Sequence, residues 1–334
     1  MNFYSTIMTK SGTHKPHRDG CGVVSESWQV VPAIVGIVMF VGAFALMPLS
    51  ARNYTLQLAQ GARLNDLQKE VHELATQVEQ LKQEQTTPGF VLSHYRDSIG
   101  YIYAVYHIGF ANQNPQIRRR ISGTGFMVGV GLLATNRHLA EPWYGDSEAE
   151  ALIDRGAVAE IESLVVFFPG SRAPVKLLHG TVSMTSDLAL LRTEDSEAVR
   201  RLVVLPLADS SGPIGQLVTV VGYPMGVAGM VAKSPPSTYR RLVYQKKDIH
   251  AVNELAALSL IRPSTTFGHL GDILGDKLIY DAPTAHGGSG GPVFNSKGQV
   301  IGINAAYIDG FAGGTIGISV ESLRPLLQQA TNSR

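Results

Sequence analysis

The sequence predicts an all-β domain preceded by two helical segments, and three observations support this prediction. From about residue 98 onward, short apolar runs alternate with glycine, a pattern typical of the strands of a β-sandwich or barrel. Residues 30–49 form an uncharged apolar stretch, which indicates a helix long enough to cross a bilayer. Residues 64–81 repeat leucine and valine at heptad spacing, which indicates a coiled coil.

The composition argues against nucleic-acid binding and against thiol or metal chemistry. Lys and Arg total 28 against 27 Asp and Glu, whereas nucleic-acid binding requires a concentrated basic face. The densest basic cluster, residues 118–120, is interpreted as a solvated strand. The single cysteine, Cys21, leaves the rest of the chain without disulfides or a cysteine nucleophile. Because His14, His17 and Cys21 lack a fourth ligand, we interpret residues 1–29 as a polar tail and expect neither a metal nor another cofactor.

The apolar stretch at residues 30–49 is predicted to anchor the protein in a membrane. At about 1.5 Å per residue, a helix of this length covers the roughly 30 Å hydrocarbon core of a bilayer. We therefore assign residues 30–50 to an uncleaved transmembrane signal anchor; the alternatives are a cleaved signal peptide and a buried core helix. Three Lys or Arg residues lie on each flank, so the positive-inside rule leaves the orientation open.

A heptad repeat lies within residues 53–86. Its a and d positions hold Leu64, Leu67, Val71, Leu74, Val78 and Leu81. This narrow stripe predicts a coiled-coil stalk, with an amphipathic helix packed on its own globular domain as the alternative. The helix is expected to end at residues 86–89, because Pro88 is unable to continue the hydrogen-bond ladder.

The β-rich region is predicted to contain short strands and one closing helix. The strands are expected near residues 125–130, 164–168, 188–191, 217–221, 278–280, 292–294 and 300–303. The helix should begin near Ser322, with Pro325 in its first turn, where proline is tolerated.

The sharpest chemical signal is Gly287-Gly288-Ser289-Gly290-Gly291 between two apolar strands. Glycine permits positive φ, so successive N–H groups can converge on one point, as an oxyanion hole requires. A flexible linker is the alternative, although linkers are not normally flanked so tightly by core strands. Ser289 is therefore the candidate nucleophile.

A serine nucleophile requires a base and an orienting carboxylate. His138 follows one apolar run and Asp187 precedes another; taken singly, Asp187 could also be a cap or turn residue. The order His138, Asp187, Ser289 is that of chymotrypsin-like proteases and differs from that of subtilisins and α/β-hydrolases. We predict these three residues as a catalytic triad.

Several motifs together resemble the HtrA/DegP/DegS branch of trypsin-like serine proteases. They are GTGF at 123–126, ATNRH at 134–138, SDLALL at 186–191, VGYPMG at 221–226, GGSGGP at 287–292 and GINA at 302–305. The resemblance implies two six-stranded antiparallel β-barrels over residues 98–200 and 201–328, with the triad in the cleft between them. It also implies a homotrimer with an extracytoplasmic, periplasmic protease domain. Val at a with Leu at d favours a dimer in isolated coiled coils, so a dimer is the alternative.

The chain also departs from the family pattern. No PDZ domain follows the protease domain in this sequence. Gly288 stands where digestive proteases carry an aspartate that pairs with a new N-terminus, so activation by N-terminal cleavage is not expected. Ala305 replaces a Ser or Thr that holds the catalytic aspartate in relatives. Residues 228–270 form an insertion with a predicted helix at 248–260, which is either a surface helix or a lid.

These observations predict a membrane-anchored serine endopeptidase acting on polypeptides in envelope quality control or regulated proteolysis. The N–H groups of Gly287 and Ser289 would bind the oxyanion. The substrate pocket is assigned to residues without negative charge, which predicts cleavage after small or medium aliphatic residues: Pro283, Thr284, Ala285, Ala305, Ala306 and Gly317. A non-catalytic protease-like binding scaffold and a chaperone-like holdase are the alternatives.

Overall fold

The computed structural model describes residues 30–244, 249–307 and 314–332. Among these, only the backbone is described at residues 30–50, 52, 84–86, 179 and 307. The predicted polar tail, residues 1–29, lies outside the described residues. The chain divides into two compact units, Met1–Ala75 and Thr76–Arg334.

The first helix, α1, spans Val30–Tyr95. In the part of the chain whose side chains are described, no helix is both long enough and apolar enough to cross a membrane. The predicted anchor at residues 30–49 lies outside that part. In the second unit, the heptad residues Val78 and Leu81 are 49% and 56% exposed, so the protease domain does not cover them.

The predicted end of this helix at residues 86–89 is wrong, because α1 continues past Pro88 to Tyr95. The residues around the proline pack on the second barrel: the Thr87 hydroxyl lies 2.6 Å from the Ser296 carbonyl oxygen, and Val91 is fully buried. The Tyr95 ring stacks on Phe294 with centroids 5.8 Å apart. Tertiary burial thus offsets the hydrogen bond that proline removes from a helix interior.

A 3₁₀ turn, Arg96–Ser98, leads into the first β-barrel. Six antiparallel strands close this barrel in the order β1-β2-β3-β6-β5-β4. They are β1 Ile99–Gly109, β2 Ile117–Gly129, β3 Leu132–Thr135, β4 Val158–Phe167, β5 Val175–Val182 and β6 Ala189–Thr193. Three short helices connect them or follow them: α2 Arg137–Ala140, α3 Ser147–Asp154 and α4 Glu197–Arg200.

The second barrel is also closed, in the order β10-β11-β12-β9-β8-β7. Its strands are β7 Leu217–Gly222, β8 Ser264–Leu274, β9 Lys277–Tyr280, β10 Pro292–Phe294, β11 Val300–Tyr307 and β12 Thr315–Ser319. The prediction of two six-stranded antiparallel barrels is therefore confirmed. Between β7 and β8 lie α5 Gly226–Ala232, α6 Pro236–Leu242 and α7 Ile249–Ala257, and α8 Arg324–Asn332 follows the barrel.

The predicted insertion, residues 228–270, is shorter in the structure, because β8 already begins at Ser264. The predicted helix in this region corresponds to α7, whose Ala251, Val252 and Leu255 are fully buried. These residues belong to the same apolar cluster as Ile99 and Tyr101 of β1. The helix is therefore part of the core and not a loosely attached surface element.

Each barrel has its own apolar interior, and a further cluster joins the two. The interior of the first barrel includes Ile102 and Leu133, and that of the second includes Leu278 and Ile301. The joining cluster contains residues of both barrels, among them Phe126 and Phe294. This shared core fixes the barrels against each other, so side chains from both can meet at one site.

Candidate active site

His138 lies in the short helix α2, directly after β3. The neighbouring Leu139 is fully buried and Ala140 is 2% exposed, which anchors the helix in the first barrel. The His138 side chain itself remains 24% exposed. Burial of the two following residues thus holds the imidazole at the edge of the barrel, where it is accessible from solvent.

Asp187 makes two contacts with His138. One carboxylate oxygen accepts from the His138 backbone N–H at 2.9 Å, and the other lies 2.7 Å from His138 Nδ1. A carboxylate accepts hydrogen bonds, so Nδ1 carries the proton and Nε2 is left as the basic nitrogen. The Asn136 amide donates to the Asp187 carbonyl oxygen at 2.8 Å, which holds the loop that carries the aspartate.

Ser289 lies between β9 and β10, in a loop clamped against the first barrel. The Thr124 N–H donates to the Ser289 carbonyl at 2.8 Å, and the Thr124 hydroxyl donates to the Gly287 carbonyl at 2.8 Å. Gly290 adopts φ +82°, and a Cβ there would lie 2.0 Å from the Thr124 carbonyl oxygen. Glycine is therefore required at position 290 by both conformation and space.

The Ser289 hydroxyl donates a hydrogen bond to the Ala305 carbonyl oxygen at 3.0 Å. A serine must transfer its proton to the histidine as it attacks. The hydroxyl therefore has to turn from Ala305 towards His138 before it can react. The sequence analysis assigned Ala305 to the substrate pocket and did not foresee this contact.

A neighbouring backbone contact orients the Gly287 N–H. The Met225 N–H donates to the His286 carbonyl oxygen at 2.6 Å, and Met225 itself adopts φ +63°. In a trans peptide the C=O and the following N–H point in opposite directions, so the Gly287 N–H points away from Met225. Sequence reasoning missed Met225, although its position between Pro224 and Gly226 marks a turn.

The six predicted pocket residues fall on three segments, and two buried side chains connect them. Asn304 Nδ2 donates to the Thr284 hydroxyl at 3.1 Å, and the Tyr280 hydroxyl donates to Asn304 Oδ1 at 2.7 Å. Gly317 pairs with Asn304 across β11 and β12, and a Cβ at Gly317 would lie 3.0 Å from the Tyr280 ring. Tyr280 and Asn304 thus connect the three segments that carry the predicted pocket residues.

The other predicted pocket residues differ in their exposure. Pro283 and Ala306 are exposed, whereas Ala285 and Ala305 are half-buried. Burial raises the pKa of the Tyr280 phenol well above its usual value, so the phenol stays neutral and donates to Asn304. The sequence analysis missed both Tyr280 and Asn304, although a polar residue inside the apolar run of β11 was an available signal.

A cavity of about 640 Å³ is lined by candidate catalytic residues of both barrels. It is lined by His138 from the first barrel and by Gly287 and Ser289 from the second. Tyr101 also lines it, and burial raises the pKa of its phenol above the usual value. The candidate base, the candidate nucleophile and Gly287 therefore line one open cleft, an arrangement that nucleophilic acyl transfer requires.

Comparison with known proteins matches residues 123–303, more than half of the chain, to the trypsin-like peptidase domain. A glutamyl endopeptidase of Staphylococcus epidermidis is 27% identical over 228 residues, which cover 65% of this chain and 61% of that protein. A probable periplasmic serine endoprotease, DegP-like, of Rhizobium meliloti is 29% identical over 206 residues, 61% of this chain and 31% of that protein. The chain thus spans about three fifths of the length of the glutamyl endopeptidase and about one third of the length of the DegP-like protein.

Among solved structures, the serine endoprotease from Yersinia pestis is similar over 72% of this chain and 65% of that chain. Its sequence is 17% identical, and the TM-score is 0.46.

Proposed function

Because this chain belongs to the trypsin-like peptidase family, we propose that it is a serine endopeptidase with Ser289, His138 and Asp187 as its catalytic triad. The observation that carries the proposal is the pair of contacts between Asp187 and His138, at 2.7 and 2.9 Å. His138 and Ser289 line the same cavity. The arrangement supplies an oriented base beside a hydroxyl, which is what activation of a serine requires.

In the proposed reaction, the Ser289 hydroxyl turns from Ala305 and gives its proton to His138 Nε2 as its oxygen attacks the peptide carbonyl carbon. Asp187 stabilises the resulting imidazolium through Nδ1. The N–H groups of Gly287 and Ser289 donate to the negatively charged oxygen of the tetrahedral intermediate, and such donors each contribute about 3–4 kcal/mol. His138 then protonates the leaving amine, and a water molecule hydrolyses the acyl-enzyme in the same way.

The pocket beside Ser289 favours a small or medium side chain at P1, the residue before the scissile bond. We infer that Tyr280 and Asn304, joined by a hydrogen bond of 2.7 Å, form its base. No carboxylate is present among the described residues assigned to its wall to pair with Lys or Arg. A shallow, uncharged pocket rejects long cationic side chains, because their charge would be desolvated without a partner.

An active-site probe tests the proposed chemistry. A fluorophosphonate should label the wild-type protein and the control variant Ser210→Ala, in which an exposed serine is replaced. Ser289→Ala should abolish labelling, and both Ser289→Ala and His138→Ala should abolish casein hydrolysis while the far-UV circular dichroism stays unchanged. Casein hydrolysis by Ser289→Ala at the wild-type rate would exclude Ser289 as the nucleophile. A wild-type protein that neither reacts with the probe nor cuts casein would leave a binding scaffold or holdase as the better interpretation.

The cellular role is proposed from the relatives and the apolar segment together. The DegP-like relative of Rhizobium meliloti is described as periplasmic. We infer an extracytoplasmic protease domain that is anchored by residues 30–49 and cuts unfolded or regulatory proteins. Because the heptad residues of α1 are about half exposed or more, we also infer a homo-oligomer held in part by this helix, with a trimer favoured over a dimer.

A further inference from the structure

The active-site cavity extends away from the P1 pocket. None of the six residues assigned to the P1 pocket lines it; its walls come from β2 and from the start of α5. Ser289 and the Gly287 N–H fix the position of the scissile carbonyl in the proposed reaction. The P1 residue lies on one side of this carbonyl and the leaving group on the other. We therefore assign this cavity, whose lining includes none of the P1-pocket residues, to the residues that follow the scissile bond, P1′ and P2′.

The side chains that line this cavity include cationic groups and no anionic one among the described residues. The titratable side chains that line it include the guanidinium of Arg120 and the imidazoles of His138 and His286. No carboxylate is among its described lining residues. A guanidinium remains protonated at every physiological pH, so Arg120 brings a permanent positive charge to the leaving-group side of the cleft.

Arg120 belongs to a run of three arginines, and the structure gives each a different environment. Arg118 pairs with Glu162 through two hydrogen bonds of 2.8 and 2.7 Å. Arg119 pairs with two acidic residues near α3, Asp146 and Glu148. Arg120 interacts electrostatically with Glu162 and is the one of the three that lines the cavity.

The position of Arg120 along β2 is compatible with contact to P2′, the second residue of the leaving group. Thr124 of β2 is bonded to the Ser289 carbonyl, and Arg120 precedes it by four residues, or about 14 Å along a strand. The long Arg120 side chain reaches into the cavity across part of this span. The P2′ residue of an extended substrate lies about 7 Å beyond the scissile carbon, which brings its side chain close to the guanidinium.

We propose that Arg120 is a specificity-determining residue that selects an acidic side chain, Glu or Asp, at P2′. This inference rests on the proposed peptidase function. The guanidinium attracts a carboxylate across the partly exposed cleft, and the same charge disfavours Lys or Arg at that position.

Three internally quenched peptides that differ only in P2′, as Glu, Gln or Lys, test the inference with the full-length protein. The value of kcat/KM should be about fivefold higher for Glu than for Gln, as for a partly exposed ion pair, and lowest for Lys. Raising NaCl from about 0.05 to about 0.5 M should reduce the preference. Arg120→Gln should level the three rates, and Arg120→Glu should invert their order.

Arg119→Gln is the matched control, since it removes the same charge from the adjacent residue of β2, which pairs with Asp146 and Glu148 and does not line the cavity. It should keep the wild-type preference. Equal rates for the three peptides with the wild-type protein, or an unchanged preference in Arg120→Gln, would overturn the inference while the peptidase function stands. Failure of the wild-type protein to cut any of the peptides or to react with a fluorophosphonate would overturn the proposed function and this inference with it.

Discussion

The backbone at Gly287 is the residue-scale feature on which the proposed oxyanion hole depends. Gly287 adopts φ +92°, and a Cβ there would lie 2.5 Å from the Tyr223 carbonyl oxygen and 2.9 Å from the Gly226 nitrogen. A side chain would therefore displace the Tyr223–Gly226 turn that holds the preceding carbonyl through Met225. The position of one N–H thus depends on contacts made by a segment about 60 residues earlier in the chain.

We expect Gly287→Ala to lower kcat at least about 10²-fold, the usual loss when one oxyanion donor is removed. Gly275→Ala is the matched control: Gly275 also has positive φ, +64°, but has no atom within 4 Å of a Cβ. It should cost only about 1–2 kcal/mol of backbone strain and leave kcat unchanged. Casein hydrolysis and thermal unfolding measured on both variants would separate the effects. Full activity in Gly287→Ala would exclude its N–H as an oxyanion donor.

At the same scale, the proposed P1 pocket has the buried Tyr280–Asn304 pair as its base. A peptide library should show cleavage after small or medium aliphatic residues, because the base is closed and the assigned pocket residues carry no negative charge. Arg or Lys as the dominant P1 residue would contradict this assignment. The profile should not depend on Arg120, which lines a different part of the cleft.

At the scale of elements, the last turns of α1 are part of the protease domain. Val91 is fully buried against the second barrel, and the Phe90 and Val91 side chains lie beside Gly298. The helix that carries the heptad repeat therefore continues as a packed element of the fold.

Val91→Ala should lower the free energy of unfolding by about 2 kcal/mol, since it removes buried methyl groups and leaves a cavity. Val130→Ala makes the same chemical change at a residue outside the heptad seam that is 70% exposed, and its unfolding should match the wild type. Urea denaturation followed by tryptophan fluorescence measures both. Equal unfolding midpoints for the two variants would show that the end of α1 does not stabilise the barrels.

At the scale of the whole molecule, the exposed heptad seam predicts self-association. Mass photometry of the detergent-solubilised protein should show a trimer. Leu74→Asp on the seam should weaken this assembly, because a carboxylate at a d position is buried between helices. Leu58→Asp, at an exposed position outside the seam, should not. A wild-type monomer at micromolar concentration would contradict self-association altogether.

The position of the protease domain relative to the membrane is a second whole-molecule prediction. It rests on the apolar stretch at residues 30–49 and on the periplasmic description of the DegP-like relative. Alkaline phosphatase fused after Arg334 should be active, and green fluorescent protein fused there should be dark. The reverse pattern would place the active site in the cytoplasm.

The β-rich fold and the candidate triad were predicted from local sequence patterns and from the order of the candidate residues along the chain. Glycine-broken apolar runs indicate β-structure because strands need only short apolar segments. The candidate nucleophile, base and carboxylate were identified because each lies next to such a run. Their order along the chain is that of chymotrypsin-like proteases. These signals are local, so one sequence is enough to read them.

Other features depend on contacts between residues far apart in the sequence, and only the tertiary structure decides them. The helix α1 passes Pro88 because Thr87 meets Ser296, 209 residues later. The Ser289 hydroxyl donates to the Ala305 carbonyl oxygen. The Gly287 N–H is oriented by the hydrogen bond from the Met225 N–H to the His286 carbonyl oxygen. Local propensity determines which segments can form helices or strands, but burial against distant segments determines where they end and which polar groups pair.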